Sequence, residues 1–152
     1  MTRHASGVHV FRVLSRAARA VEAHALASIA GTGLCASDFG VLETLLHKGQ
    51  LPVNVLGKKV LLTSGSMTAA VDRLTMRGLV ARKDDPHDRR VRVVALTPDG
   101  RRLINSAFAR HASDLDEVVS GLTGTERSAL LALLRKLEHS ADDTPEQLDD
   151  PS

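Results

Sequence analysis

Four hydroxyl side chains occur within six residues of this chain, in a segment suited to binding nucleic acid: Thr63, Ser64, Ser66 and Thr68. Hydroxyls form hydrogen bonds with phosphate oxygens and base edges, and small side chains allow a helix to approach a groove closely. No acidic residue in positions 62–71 repels a duplex. Because a helix cap uses only one hydroxyl, we predict that the others face a major groove.

Paired arginines follow in a turn from Asp84 to Arg90, which reads DDPHDRR. An arginine at the tip of a β-ribbon can enter a narrow minor groove, where negative potential is concentrated. We expect Arg90 to take this role, with Arg89 as the second choice, and Asp88 to orient an arginine through an ion pair. The alternative is a solvated hairpin tip with compensating charges.

The charge of the chain is concentrated in the same region. The net charge is only +2, but residues 58–102 contain eleven Lys or Arg and five Asp, whereas residues 138–152 contain six acids and no Lys or Arg. A basic excess binds phosphates by releasing counterions. We therefore expect Arg73, which lies between the hydroxyls and the wing, to reach a base edge or the backbone of double-stranded DNA.

Periodicity and capping signals place these residues on defined elements. Apolar residues three and four positions apart predict a long helix over residues 8–29. Ser37 is expected to begin a second helix that ends at Gly49, and Pro52 to open a short third one. Thr63 is expected to cap a fourth helix, which carries the hydroxyl-rich segment.

Two strands and two helices complete the prediction. β-branched residues predict strands over residues 79–83 and 91–96, separated by the basic turn. Thr97 is expected to cap a fifth helix, and a capping box at Thr123 to open a sixth. The predicted fold class is mainly α with a small β-wing, a winged helix-turn-helix flanked by dimerisation helices.

This order divides the chain into four segments within one compact domain. We expect an N-terminal dimerisation helix at 1–34, a winged helix-turn-helix DNA-binding module at 35–97, C-terminal dimerisation helices at 98–140 and an acidic disordered tail at 141–152. Wide apolar stripes on the outer helices indicate that they pack on each other and on a second copy of the chain.

Four segments together carry a family resemblance: SDFGVLETL, LLTSGSMTAAVDRLTMRGLV, DPHDRRVRVVALT and LTGTERSALLALLRKLE. They resemble the MarR family of multiple-antibiotic-resistance-type transcriptional regulators. The resemblance implies a homodimer in which helices one, five and six interlock, and two winged modules that bind a pseudo-palindromic operator. It also implies repression that a small anionic or phenolic effector, or oxidation of a cysteine, relieves. It assigns Ser64, Ser66 and Thr68 to the major groove, Arg73 to backbone or base, and Arg90 to the minor groove.

The resemblance places an effector pocket between the dimer helices and the winged module. Candidate anchors are Arg16 and Arg19 for a carboxylate, together with His111 on the apolar face of the fifth helix. The alternative is that His111 is a packed or interface histidine. Cys35 is either a structural residue or an oxidation sensor, since a helix N-terminus favours a thiolate.

Other function classes lack the residues they need. The scattered histidines have no metal-site spacing, and we expect no metal or cofactor. The sequence has no nucleophile elbow and no glycine-rich phosphate loop, so we expect no enzyme. The alternative from a different functional class is a winged-helix protein-interaction module that does not bind DNA.

The sequence has no run of about 18 apolar residues, so it predicts no membrane span. A single cysteine and a polar N-terminus favour a cytoplasmic location.

Overall fold

The computed structural model describes residues 5–60 and 64–144, and Ser64 by its backbone alone. Within these residues the elements are, in chain order, α1 (Gly7–Ala30), α2 (Ala36–Lys48), β1 (Leu51–Pro52), α3 (Val53–Val60), α4 (Ser64–Met76), β2 (Val80–Asp84), β3 (Arg92–Leu96), α5 (Pro98–Val118) and α6 (Gly124–Asp142). The predicted fold class, mainly α with a small β-wing, is confirmed. The chain divides into two compact units, Met1–Leu115 and Asp116–Ser152.

The core of the first unit lies between α2 and α4, with contributions from α3, the sheet and α5. Its fully buried side chains are almost all aliphatic and include Phe39, Leu42, Leu45, Leu56, Met67, Val71, Leu74, Val94 and Ile104. On α4 the buried positions are three and four residues apart, which is the spacing of a single helical stripe. This stripe fixes which side of α4 faces the protein and which side faces out.

The wing belongs to a three-stranded antiparallel sheet in the order β1-β3-β2. β2 pairs with β3 from Val80, opposite Leu96, to Asp84, opposite Arg92. β1 adds only two residues on the other side of β3. β1 was not predicted from the sequence, because two residues are too few to show an alternating pattern.

Two expected helix starts differ from the structure. We expected Pro52 to open α3, but Pro52 ends β1 and α3 begins at Val53. We expected Ser37 to begin α2, but the helix starts at Ala36 with Cys35 as its N-cap, and Cys35 forms no side-chain cap hydrogen bond. Because proline has no N–H to donate, it fits both an edge strand and the start of a helix. Pro52 therefore did not show which of these two boundaries it marks. The predicted cap at Thr63 lies outside the described residues.

The start of α5 is fastened to the segment between α4 and β2. Thr97 Oγ1 donates to the Gly78 carbonyl at 2.6 Å and accepts from the Gly100 N–H at 3.0 Å, so the predicted cap is confirmed. The Thr97 N–H donates to the Leu79 carbonyl at 3.1 Å. A Cβ atom at Gly100 would lie 1.8 Å from that carbonyl oxygen. The two backbones can approach this closely only because residue 100 has no side chain.

The second unit is dominated by α6. Thr123 and Glu126 form the predicted capping box, in which each side chain accepts from the other residue's backbone N–H. Five leucines of α6 are exposed: Leu130, Leu131, Leu133, Leu134 and Leu137. The helix extends to Asp142, so the first two residues of the expected tail are helical, while residues 145–152 lie outside the described part.

Candidate nucleic-acid interface

The hydroxyl-rich end of α4 faces away from the core. Ser66 and Thr68 are exposed, whereas Met67 between them is buried. Met67 begins the buried stripe of α4, so the packing that holds the helix also turns these two hydroxyl-bearing residues outward. Ser64 is the first residue of the helix. The outward side of this end carries no acid before Asp72, as the sequence predicts.

The tip of the wing is shaped by hydrogen bonds from two aspartates. Asp85 Oδ1 accepts from the backbone N–H of His87 at 2.7 Å and of Asp88 at 3.3 Å, which closes the turn. Asp88 then pairs with Arg90. The distances are 3.1 Å from Nε to Oδ1, 3.2 Å from Nη2 to Oδ2 and 3.0 Å from the backbone nitrogen to Oδ1.

This pairing presents Arg90 to solvent in a defined direction. Its side chain is 90% exposed, and Arg89 beside it is also exposed. The hydrogen bonds from the side chain and then the backbone of Arg90 lower the pKa of Asp88, so that carboxylate is charged at neutral pH. The wing therefore carries an arginine that is both exposed and oriented.

The outward side of α4 and the wing meet at a single cleft of about 690 Å³. Thr68 and Arg90 both line it, so the two predicted sites form one surface. Asn54 and Lys58 of α3 and Arg92 of β3 also line it. These three were not predicted from the sequence. Lys58 and Arg92 lie in the basic region, but the short helix α3 gave no indication of which side faces the wing.

Arg73 has partners within the protein that the sequence did not predict. Its Nη2 donates to Asp38 Oδ1 at 2.7 Å and to Ser37 Oγ at 3.3 Å. It also lies 3.9 Å from Cys35 Sγ. These partners are the N-cap and first-turn residues of α2, 35 to 38 positions earlier in the sequence, so no local pattern could reveal them. In this structure Arg73 joins α4 to α2.

Comparison with known proteins gives this arrangement a family. The protein-family model described as "MarR family" matches residues 34–91 of this chain. The HTH-type transcriptional regulator MhqR of Bacillus subtilis (strain 168) is 41% identical over 128 residues, which are 84% of this chain and 88% of the relative. The chain belongs to the MarR family. It is thus a DNA-binding transcriptional regulator, and the prediction of a regulator rather than an enzyme is confirmed.

Two solved structures extend the likeness within the MarR-type fold. BpsR of Bordetella bronchiseptica, whose DNA binding is regulated by 6-hydroxynicotinic acid, is 32% identical. Its TM-score is 0.70, and the match covers 85% of this chain and 98% of BpsR. A cysteine-to-serine mutant of MarR from E. coli, complexed with operator DNA, is 25% identical with a TM-score of 0.70. That match covers 84% of this chain and 92% of the mutant.

The three predicted effector anchors of this MarR-family chain lie in two different places. Arg16 and Arg19 line an open cavity of about 830 Å³ along α1, together with His9, Phe11, Arg12 and Ser15. His111 is buried elsewhere, with Nδ1 3.1 Å from Ser28 Oγ and its ring centroid 5.0 Å from that of Phe39 in a T-shaped arrangement. The structure therefore does not bring His111 together with the two arginines.

The hydrogen bonds of Ser28 show which ring nitrogen of His111 carries a proton. Ser28 Oγ donates its only proton to Asp114 Oδ2 at 2.5 Å. The serine oxygen must then accept from His111, so Nδ1 of the imidazole carries a proton. This cluster ties the end of α1 to α5, which agrees with the alternative of a packed histidine.

Cys35 and the candidate metal ligands are also placed. The Cys35 thiol is exposed at the N-cap of α2, with Sγ 3.2 Å from Ser37 Oγ. Among residues 5–60 and 64–144, no three His, Cys, Asp or Glu side chains are grouped to hold a metal ion. Over the same residues, no helix has the length and apolar character of a membrane span.

Proposed function

We propose that this MarR-family regulator is a homodimeric repressor that binds a pseudo-palindromic operator and is released by a small aromatic or anionic effector. The observation that supports it most directly is the single cleft lined by both Thr68 of α4 and Arg90 of the wing. A helix about 10–12 Å in diameter fits a major groove about 12 Å wide. With α4 in that groove, the adjoining wing meets the neighbouring minor groove.

Each group then has a role that its exposure allows. Ser66 and Thr68 contact base edges or phosphates in the major groove, while Arg90, with Arg89 beside it, enters the minor groove. Asp88 keeps Arg90 in one orientation before DNA arrives, which reduces the conformational entropy lost on binding. Lys58 adds a phosphate contact from α3.

The homodimer is supported by apolar surface that the described residues leave uncovered. On α1, Phe11 is 68% exposed and Val8 is 60% exposed, and α6 exposes its five leucines. Monomeric proteins rarely expose patches of this kind, and a second copy can cover them symmetrically. A two-fold dimer would present two α4 helices to successive major grooves, about 34–36 Å apart.

Release by an effector is supported by the basic cavity on α1 and by the likeness to BpsR. Arg12, Arg16 and Arg19 supply cationic anchors, and Phe11 supplies an apolar wall. A cavity of this size accommodates a small aromatic acid. The same proposal places the protein in the cytoplasm, where it meets its operator.

DNA binding is tested with a fluorescent duplex taken from upstream of the protein's own gene and with a scrambled duplex of equal length. We expect tighter binding to the first duplex and a steep loss of affinity with added salt, since phosphate contacts release counterions. Equal binding to both duplexes, or no binding at low salt, would contradict the proposal.

Arg90→Ala is expected to weaken binding to the promoter duplex by about 1–3 kcal/mol, because it removes the groove contact at the tip of the wing. Fluorescence anisotropy titration at fixed salt measures this change. Arg89→Ala should have a smaller effect, because Arg89 is the second choice for the groove.

Arg135→Ala is the matched control, since it removes another exposed arginine, one that lies on α6. It should leave promoter binding within experimental error. If Arg90→Ala and Arg135→Ala bind the promoter duplex alike, Arg90 does not read a groove.

A further inference from the structure

Two ion pairs hold α4 through neighbouring residues of that helix. Arg73 pairs with Asp38 of α2 at 2.7 Å, and Asp72 pairs with Arg82 of β2 at 2.5 Å. Successive residues of an α-helix point about 100° apart around its axis. The two ion pairs therefore lie on different sides of α4, one toward α2 and the other toward β2.

The Arg73 pair is anchored at a buried carboxylate. The Asp38 side chain is only 6% exposed, whereas that of Arg73 is 49% exposed. Asp38 lies in the first turn of α2, where the helix dipole also favours a negative charge. The anchor on α2 is thus held within the packed protein, and the long side chain of Arg73 reaches to it from α4.

Apolar packing alone does not set the rotation of α4 as narrowly. The buried stripe holds the helix against the core, but apolar contacts have no preferred direction. A rotation of about 20° moves a side-chain tip about 5–6 Å from the axis by about 2 Å. That displacement is enough to break a hydrogen bond to a base edge. Directional contacts near residues 72 and 73 would prevent it.

We propose that Asp38, Arg73, Asp72 and Arg82 are positioning residues that fix the rotation of α4, and through it the placement of Ser66 and Thr68 on DNA. Arg73 acts within the protein and does not itself contact the duplex. The inference rests on the proposed operator binding by α4. The positioning role differs from a simple electrostatic attraction of DNA, because two of the four residues, Asp72 on α4 and Asp38 beside it, are acids.

The negative charge of Asp38 allows a positioning role to be distinguished from an electrostatic one. Asp38→Asn removes a negative charge from a DNA-binding protein, so electrostatics alone predicts tighter binding to any duplex. Loss of positioning predicts the opposite for the promoter duplex. We expect Asp38→Asn to weaken promoter binding about tenfold, roughly the loss of one good base contact. Binding to the scrambled duplex should be unchanged or tighter.

Arg73 gives a second, independent readout. Arg73→Gln should weaken promoter binding about as much as Asp38→Asn, and the double variant should lose no more than either single one. The slope of log affinity against log salt should stay as in the wild type. A direct phosphate contact by Arg73 would instead reduce that slope by about one. Arg73→Lys should restore part of the affinity, because it keeps the charge opposite Asp38.

Asp72→Asn keeps the test valid if Asp38→Asn fails to fold, which thermal melting would reveal. Asp72 is 56% exposed, and its loss is expected to leave the core intact while again weakening promoter binding. Promoter affinity that is unchanged or higher in Asp72→Asn and in every folded Asp38→Asn sample overturns the inference. Failure of the wild type to prefer the promoter duplex overturns the proposed function instead, so the two failures are distinct.

Discussion

Gly100→Ala is expected to destabilise the protein by at least about 3 kcal/mol. The added methyl group would lie 1.8 Å from the Leu79 carbonyl oxygen and 3.2 Å from the Leu79 Cα. These neighbours are backbone atoms, so no side chain can move aside to relieve the clash. Relief requires α5 to separate from the α4–β2 segment, which breaks the hydrogen bonds of Thr97 at that junction.

Urea denaturation followed by circular dichroism, at one fixed protein concentration, measures this effect. Gly124→Ala is the matched control. Gly124 also lies in the first turn of a helix, and an added Cβ meets nothing within 4 Å. Alanine there should be neutral or stabilise the protein by up to about 1 kcal/mol. A Gly100→Ala protein within 1 kcal/mol of the wild type would show that the junction tolerates displacement.

Leu134→Asp is expected to raise the dissociation constant of the proposed homodimer by at least about 100-fold. Leu134 is 38% exposed within one chain, so it has apolar surface left for a second copy to cover. In a two-fold dimer the same change occurs twice. Loss of two buried leucines, each contributing about 1.5–3 kcal/mol, accounts for a change of this size before the cost of burying the new carboxylate.

Sedimentation velocity over a concentration series measures the dissociation constant. Ala132→Asp is the control, because Ala132 lies on the opposite side of α6, with Lys136 one turn further on. This substitution lowers the helix propensity by a similar amount to Leu134→Asp. It should remain dimeric at every concentration at which the wild type does. A Leu134→Asp protein that sediments as the wild-type dimer would exclude this side of α6 from the interface.

Sequence patterns predicted the elements that depend on local chemistry. The capping box at Thr123, the cap at Thr97 and the two wing strands follow from residues close together in the chain, and the structure contains each of them. The outward placement of Ser66 and Thr68 also follows from local spacing, since the buried stripe of α4 is visible as a three- and four-residue period.

The differences arise where long-range contacts decide the structure. The ion pair of Arg73 was not predicted because its partner, Asp38, is 35 positions earlier on another helix. Lys58 was not recognised because its place beside the wing depends on the angle between α3 and the sheet. His111 and Arg16 looked like parts of one pocket because helical periodicity gives the apolar side of each helix but not which helices meet there.

The two edges of the wing sheet also limit how this protein can associate. Pro52 occupies the β1 edge without an N–H to donate, and β1 ends after two residues at the start of α3. The opposite edge, β2, carries Arg82, Lys83 and Asp84, whose charges oppose strand addition. The sheet is thus protected at both sides against cross-chain β-pairing and the aggregation that it starts. The proposed dimer then forms through helical surfaces, and we expect the wing to stay available to DNA when the protein is concentrated.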